Sequence, residues 1–185
     1  RRHYYHASGE ENFVTVWGKL FCKKLFSDLR FRTGICFEDI HLMPYWLLQS
    51  EKVVLIPYAG YNYTQNENSI MHKTDEAHST RLYKNAFVIW QEHLELYKQR
   101  GLEDFENAVY CSIVNKVIAH SLAESIPNEM VRESLVLAHR YTKKLVWHTA
   151  LPVKQKLYFA LFSILGPKYF RSFMRMRSAH RSESD

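Results

Sequence analysis

Two adjacent acids, Glu38 and Asp39, stand in the stretch GICFEDIHLMPYW, residues 34 to 46. A carboxylate placed there can do one of two things. It can accept the proton of an attacking hydroxyl as a general base, or it can cap a helix. Asp39 directly precedes Ile40, Met43, Trp46 and Leu47, whose spacing of three and four marks one helical face, so Asp39 is the expected N-cap. The two roles are compatible, because a capping carboxylate is held rigidly. A helix N-terminus favours the carboxylate anion and weakens it as a base. Burial by Phe37, Trp46 or Trp17 acts in the opposite direction.

Other strings with chemical potential carry less. Asp75-Glu76-Ala77-His78 spells a helicase box, but that chemistry requires a phosphate loop of the form G-x-x-x-x-G-K-[ST], which the chain lacks. The string reads instead as a polar cap entering a helix at Arg81. His3, His6, Glu10 and Glu11 can be assembled on paper into a metal site, yet His-x-x-His without a third ligand at fixed helical spacing is a weak pattern. Cys22, Cys36 and Cys111 form neither a Cys-x-x-Cys nor a zinc pattern, which points to a reduced compartment. Ten scattered histidines define no Ser-His-Asp or Cys-His constellation.

The elements that must hold these groups follow from periodicity. Residues 13–26 read as a strand or turn feeding a short helix. Val53 to Ile56, a turn from Pro57 to Gly60, and alternating Tyr61 and Tyr63 predict a small β-hairpin, which must join a larger sheet to be stable. Beyond residue 78 the pattern becomes helical. Tyr83, Ala86, Phe87, Trp90, Leu94 and Tyr97 keep one face up to Gly101; Phe105 to His120 mark a second helix and Met130 to Trp147 a third. These three are expected to form a helical subdomain.

The chain has 185 residues, 46% of them hydrophobic, enough for a packed core. Its charge is segregated: Ser134 to Ser182 contains ten Lys or Arg and no acid, whereas residues 1–133 sum to −2. In this region Leu, Phe, Tyr and Met alternate with the cations, and Gly166-Pro167 breaks the run. A basic amphipathic helix suits an anionic membrane interface. Packing of its apolar face on the chain's own core and binding of nucleic acid are the alternatives, the last without any recognisable reading motif. No stretch reaches the roughly 18 apolar residues of a transmembrane helix. The opening Arg1, without Met or a signal segment, reads as part of a longer chain.

Taken in order, Val16-Trp17-Gly18-Lys19-Leu20-Phe21, Leu25-Phe26, Leu29-Arg30-Phe31, Phe37-Glu38-Asp39-Ile40, Lys52-Val53-Val54, Tyr61-x-Tyr63 and Asn68-Ser69-Ile70-Met71 resemble the second half of bacterial family 2 glycosyltransferases, over about Phe13 to Met71. The resemblance implies an α/β GT-A domain, of which this chain would hold the acceptor-side part, a short β-hairpin plus helices. The donor-binding half, with its Asp-x-Asp motif, is not in the sequence, so these residues alone are not expected to catalyse transfer.

By the same resemblance, Asp39 would be the base in an inverting transfer from a nucleotide sugar to a glycan or lipid-linked acceptor, as in polysaccharide biosynthesis, and Glu38 would orient the acceptor or a neighbouring cation. Trp17, Lys19, Tyr61, Tyr63, Gln65 and Ser69 would contact substrate, although Thr64-Gln65-Asn66 lacks the Arg the family often carries there. The intact enzyme would use Mg or Mn; no metal is expected on this chain alone. The implied organisation is residues 1–78 for the acceptor-side part, 79–150 for a helical subdomain and 151–185 for a basic extension, peripheral at the inner face of the cell membrane. The competing expectation is a truncated, non-catalytic relative serving as a membrane- or protein-interaction module.

Overall fold

The computed structural model describes residues 14–58, 60–62, 64, 75–120, 128–147 and 151–182. Among them, a short 3-10 helix (Lys23–Phe26) precedes five α-helices: α1 (Glu38–Gln49), α2 (Glu76–Gln99), α3 (Glu103–His120), α4 (Asn128–Val146) and α5 (Val153–Ser182).

No strand or sheet occurs among the described residues, which overturns the expected α/β class, a partial GT-A domain with a short β-hairpin. The Tyr58 amide donates to the Ile56 carbonyl across Pro57 at 2.9 Å, a local three-residue turn, while Ala59 of the expected Pro57 to Gly60 turn lies outside the described residues. Val53 to Ile56, however, are 62 to 83% exposed and have no ladder partner. β-branched residues favour a strand only where another strand completes the hydrogen bonds, and none of the described segments does. Of the strand or turn considered within residues 13–26, the described residues 14–22 form no strand; a turn around Trp17 and Gly18 precedes the short 3-10 helix.

Local chemistry explains where the helices start and stop. Asp75 caps α2 by accepting the His78 amide at 2.8 Å, so the helix begins five residues before Arg81 and consumes the Asp-Glu-Ala-His string as its first turn. At the other end Gly101 takes the left-handed conformation, φ 62°, and two reverse bonds close the helix: Gly101 N to Lys98 O at 3.1 Å and Leu102 N to Tyr97 O at 2.9 Å. In α5, Gly166 at φ 70°, ψ 170° interrupts the helical backbone, as its Gly-Pro pair predicts.

α2 to α5 pack on one another in chain order. Their shared core contains Val109, Ile113, Val114 and Val117 of α3, Val131, Leu135, Ala138 and Leu145 of α4, and Phe159, Phe162 and Phe170 of α5. Tyr83, Trp90 and Tyr97 enter the same core from α2 at seven-residue intervals, so one stripe of that helix faces α3. Phe159, Phe162 and Phe170 of α5 thus pack on the chain's own interior, whereas Tyr169 stays exposed.

α1 belongs to a second cluster, in which Leu25, Leu42, Met43 and Trp46 are buried against Val16, Phe21, Phe26, Leu29 and Leu47. Trp46 is its hub: its ring lies 4.9 Å from Phe21, 4.7 Å from Phe26 and 5.4 Å from Phe31, and its indole N–H donates to the Leu25 carbonyl at 3.0 Å. Pro44 sits inside α1 and is buried, which removes one rung of the helix ladder without ending it. No described helix is long and apolar enough to cross a membrane.

Candidate functional site

The acidic pair occupies the first turn of α1, and Asp39 is not its N-cap. That position falls to Phe37, held in the left-handed conformation at φ 65° with no side-chain cap bond. A bulky residue there costs about 1–3 kcal/mol, and such outliers cluster at functional sites. One residue separates the strained backbone from Asp39. The Asp39 carboxylate instead accepts the Ile40 amide at 2.8 Å.

Asp39 is half-buried whereas Glu38 is exposed. Burial pushes the Asp39 carboxyl above the ordinary carboxylate range, with repulsion from Glu38 adding to the rise; the backbone amides and the Lys19 charge pull it back only in part. The contest between helix terminus and burial is therefore won by burial, the direction that makes a better base. Lys19 is shifted downwards, chiefly by its own burial, with Asp39 opposing. Its ammonium group donates to the Thr15 carbonyl at 2.6 Å, which ties the segment before the 3-10 helix into a local turn.

Of the residues implied as substrate contacts, the fold brings Trp17 and Tyr61 together as a stacked pair, ring centroids 5.2 Å apart and planes 19° from parallel. Val16, adjacent to Trp17, packs on the α1 cluster, and Lys19 lies near enough to Asp39 in the first turn of α1 for their charges to interact. Tyr63, Gln65 and Ser69 lie outside the described residues, as do His3, His6, Glu10 and Glu11. Among the described residues no three His, Cys, Asp or Glu side chains converge as a metal site. Any cation acting with Glu38 would therefore need ligands beyond this group.

A polar cluster that the sequence does not announce joins α1 to α2. Glu92 accepts from Arg32 at 2.8 Å and pairs with His41 Nε2 at 2.7 Å. Next to it, His93 Nε2 lies 3.0 Å from the His41 carbonyl oxygen, and the two imidazoles stack 6.4 Å apart. His93 is fully buried, and desolvation lowers its pKa to about 4. Neutral His93 therefore donates its Nε2 proton to His41 O. The separation of 51 positions between His41 and Glu92 explains why no local pattern reveals the pairing. The cluster ties α1 to α2 through polar contacts. A cavity of about 230 Å³ opens at the same seam, lined by Tyr45, Glu92, Glu95, Leu96 and Gln99, none of them an expected site residue.

No known family profile matches the chain, and no solved structure matches it. The glycosyltransferase GlyA of Streptococcus pneumoniae serotype 4 (strain ATCC BAA-334 / TIGR4) is 33% identical over 96 residues, covering 46% of this chain. The match takes in 14% of that curated relative's length. The similarity supports a glycosyltransferase relationship for this part of the chain.

Proposed function

We propose that the chain supplies the acceptor side of an inverting glycosyltransferase of the family 2 type, which moves a sugar from a nucleotide-sugar donor to a hydroxyl of a glycan or lipid-linked acceptor in polysaccharide biosynthesis. The observation that carries the reading is Asp39: half-buried, raised in pKa, and set behind the strained Phe37 at the start of α1. In this reading Asp39 takes the proton from the acceptor hydroxyl as its oxygen bonds to the anomeric carbon. The bond from that carbon to the diphosphate breaks, the electron pair leaves with the nucleoside diphosphate, and the configuration inverts.

Glu38, exposed beside it, orients the acceptor. Trp17 and Tyr61 present an aromatic platform for a sugar face, Lys19 meets negative charge, and Tyr63, Gln65 and Ser69 complete the contacts. Mg or Mn would assist departure of the diphosphate in the intact enzyme. Residues 1–78, 79–150 and 151–185 are the acceptor-side part, the helical part and the basic extension under this proposal. Its place is the inner face of the cell membrane.

The test is Asp39→Asn in the full-length protein. A general base contributes about 10²–10⁴-fold, so kcat should fall by that order while donor binding, read by calorimetry, is retained. Because the carboxylate form is the active one, the wild-type rate should fall as pH drops through the raised pKa, and this acid limb should vanish in the variant. Near wild-type transfer by Asp39→Asn would sink the assignment. A second reading, a non-catalytic interaction module, draws on the exposed apolar residues 53–56; it requires that full-length protein show no transfer at all.

A further inference from the structure

α5 has two apolar faces, and only one of them is used by the core. Phe159 and Phe162 are fully buried, yet Val153, Leu157 and Ile164 are 72%, 66% and 82% exposed. At about 100° per residue these three fall within about 40° of one another, nearly opposite the two phenylalanines. Lys154 and Lys156 flank the stripe at about 80° on either side. No ion pair engages either lysine among the described residues. Trp147, at the close of α4 and six residues before Val153, is 85% exposed.

We propose that the outward face of α5 before Gly166 is a docking surface for an anionic lipid bilayer: Val153, Leu157 and Ile164 enter the acyl boundary while Lys154 and Lys156 reach back to headgroup phosphates. A long lysine stem can lie along the apolar stripe and keep its charge in the headgroup layer, which is what cations on both sides of a narrow apolar stripe allow. Charge decides between occupants. The segment from Ser134 to Ser182 has ten cations and no acid, so a second copy laid on this stripe would set lysine against lysine with no acid from that segment to relieve it. An anionic surface meets the same cations favourably. A nucleic acid would satisfy the lysines but leave three aliphatic side chains against phosphate.

The face named is the reverse of the aromatic one that the sequence pattern offers to a membrane, because that one is occupied. The proposal also stands apart from glycosyl transfer, since its readout needs no catalysis.

The experiment is co-sedimentation of the 185-residue chain with phosphatidylcholine vesicles with and without phosphatidylglycerol, read in parallel by the emission shift of Trp147, assigned with Trp147→Phe. Pelleting should require phosphatidylglycerol. Leu157→Ser/Ile164→Ser should lower the partition coefficient about tenfold or more. Lys154→Gln/Lys156→Gln should lower it by about fivefold per charge on anionic vesicles and leave neutral ones unaffected. All four positions lie on the solvent side, and circular dichroism verifies that the helices persist. Absence of binding, equal binding to neutral vesicles, or unchanged binding of Leu157→Ser/Ile164→Ser would each overturn the proposal. So would a lipid-free dimer that this variant converts to monomer, since the stripe would then belong to a second copy.

Discussion

His93 makes the chain's stability depend on pH in a way that can be isolated. It is fully buried where α2 meets α1, its ring 6.3 Å from Tyr45, 6.1 Å from Tyr97 and 6.4 Å from His41, with Glu92 adjacent in sequence. Desolvation is the main cause of its lowered pKa; the His41 carbonyl and Glu92 oppose it, and His41 adds to it. The folded value of about 4 lies below the 6.5 of the unfolded chain. Above pH 6.5 both states hold a neutral imidazole and nothing is lost. As pH falls below that value the unfolded chain binds a proton that the folded one refuses, so stability declines until about pH 4, where the folded state protonates as well. The full decline is about 3.4 kcal/mol, of which about 2.5 kcal/mol is reached by about pH 4.5.

The perturbation is His93→Phe, which keeps an aromatic ring among aromatic neighbours and removes both the titration and the bond to His41 O. At pH 7 the variant should be less stable by about 1 kcal/mol for the lost hydrogen bond. At about pH 4.5 it should be more stable than wild type by about 1.5 kcal/mol, the difference between the avoided penalty and the lost bond. Urea unfolding followed by circular dichroism at the two pH values gives this double difference, in which the other histidines and carboxylates cancel. If the variant stays less stable than wild type by the same margin at both pH values, His93 is not held neutral by burial, and the account of the α1–α2 seam is wrong.

Two further outcomes test the two clusters. Trp46→Ala should cost about 3–5 kcal/mol in urea unfolding, towards the upper end because Leu25 O loses its donor as well; a loss under about 1 kcal/mol would mean that Phe21, Phe26 and Phe31 do not depend on the indole. Asp75→Ala should cost about 0.5–2 kcal/mol and Asp75→Ser much less, measured by thermal unfolding; equal losses would show that the cap bond to His78 N does not hold the start of α2.

The helical part was legible because its information is local. Tyr83, Trp90 and Tyr97 recur with the helical period, Gly101 stops α2, and Gly166 interrupts α5, each through a backbone preference acting within a few residues. The hairpin was misread for the opposite reason. Val53 to Ile56 have the residue types of a strand, but a strand is completed by hydrogen bonds to a second segment, and residue types carry no information on whether that segment is present. Asp39 as a cap failed on a finer point: the helical face was right, and the backbone entered it two residues earlier through Phe37. At the α1–α2 seam, Arg32, His41 and Glu92 gave no signal, since polar residues at unrelated spacings acquire meaning only when the chain folds them together.

The sequence alone determined which segments are helical, where the cations concentrate and which carboxylates stand together, because periodicity, charge and adjacency are properties of neighbours along the chain. Tertiary structure decided the rest. It half-buried Asp39 and raised its pKa, turned the phenylalanines of α5 inward and left Val153, Leu157 and Ile164 outside, and closed Glu92 onto His41. Desolvation and contact depend on what lies within a few ångströms in space, and for each of these groups the deciding neighbours are remote in sequence.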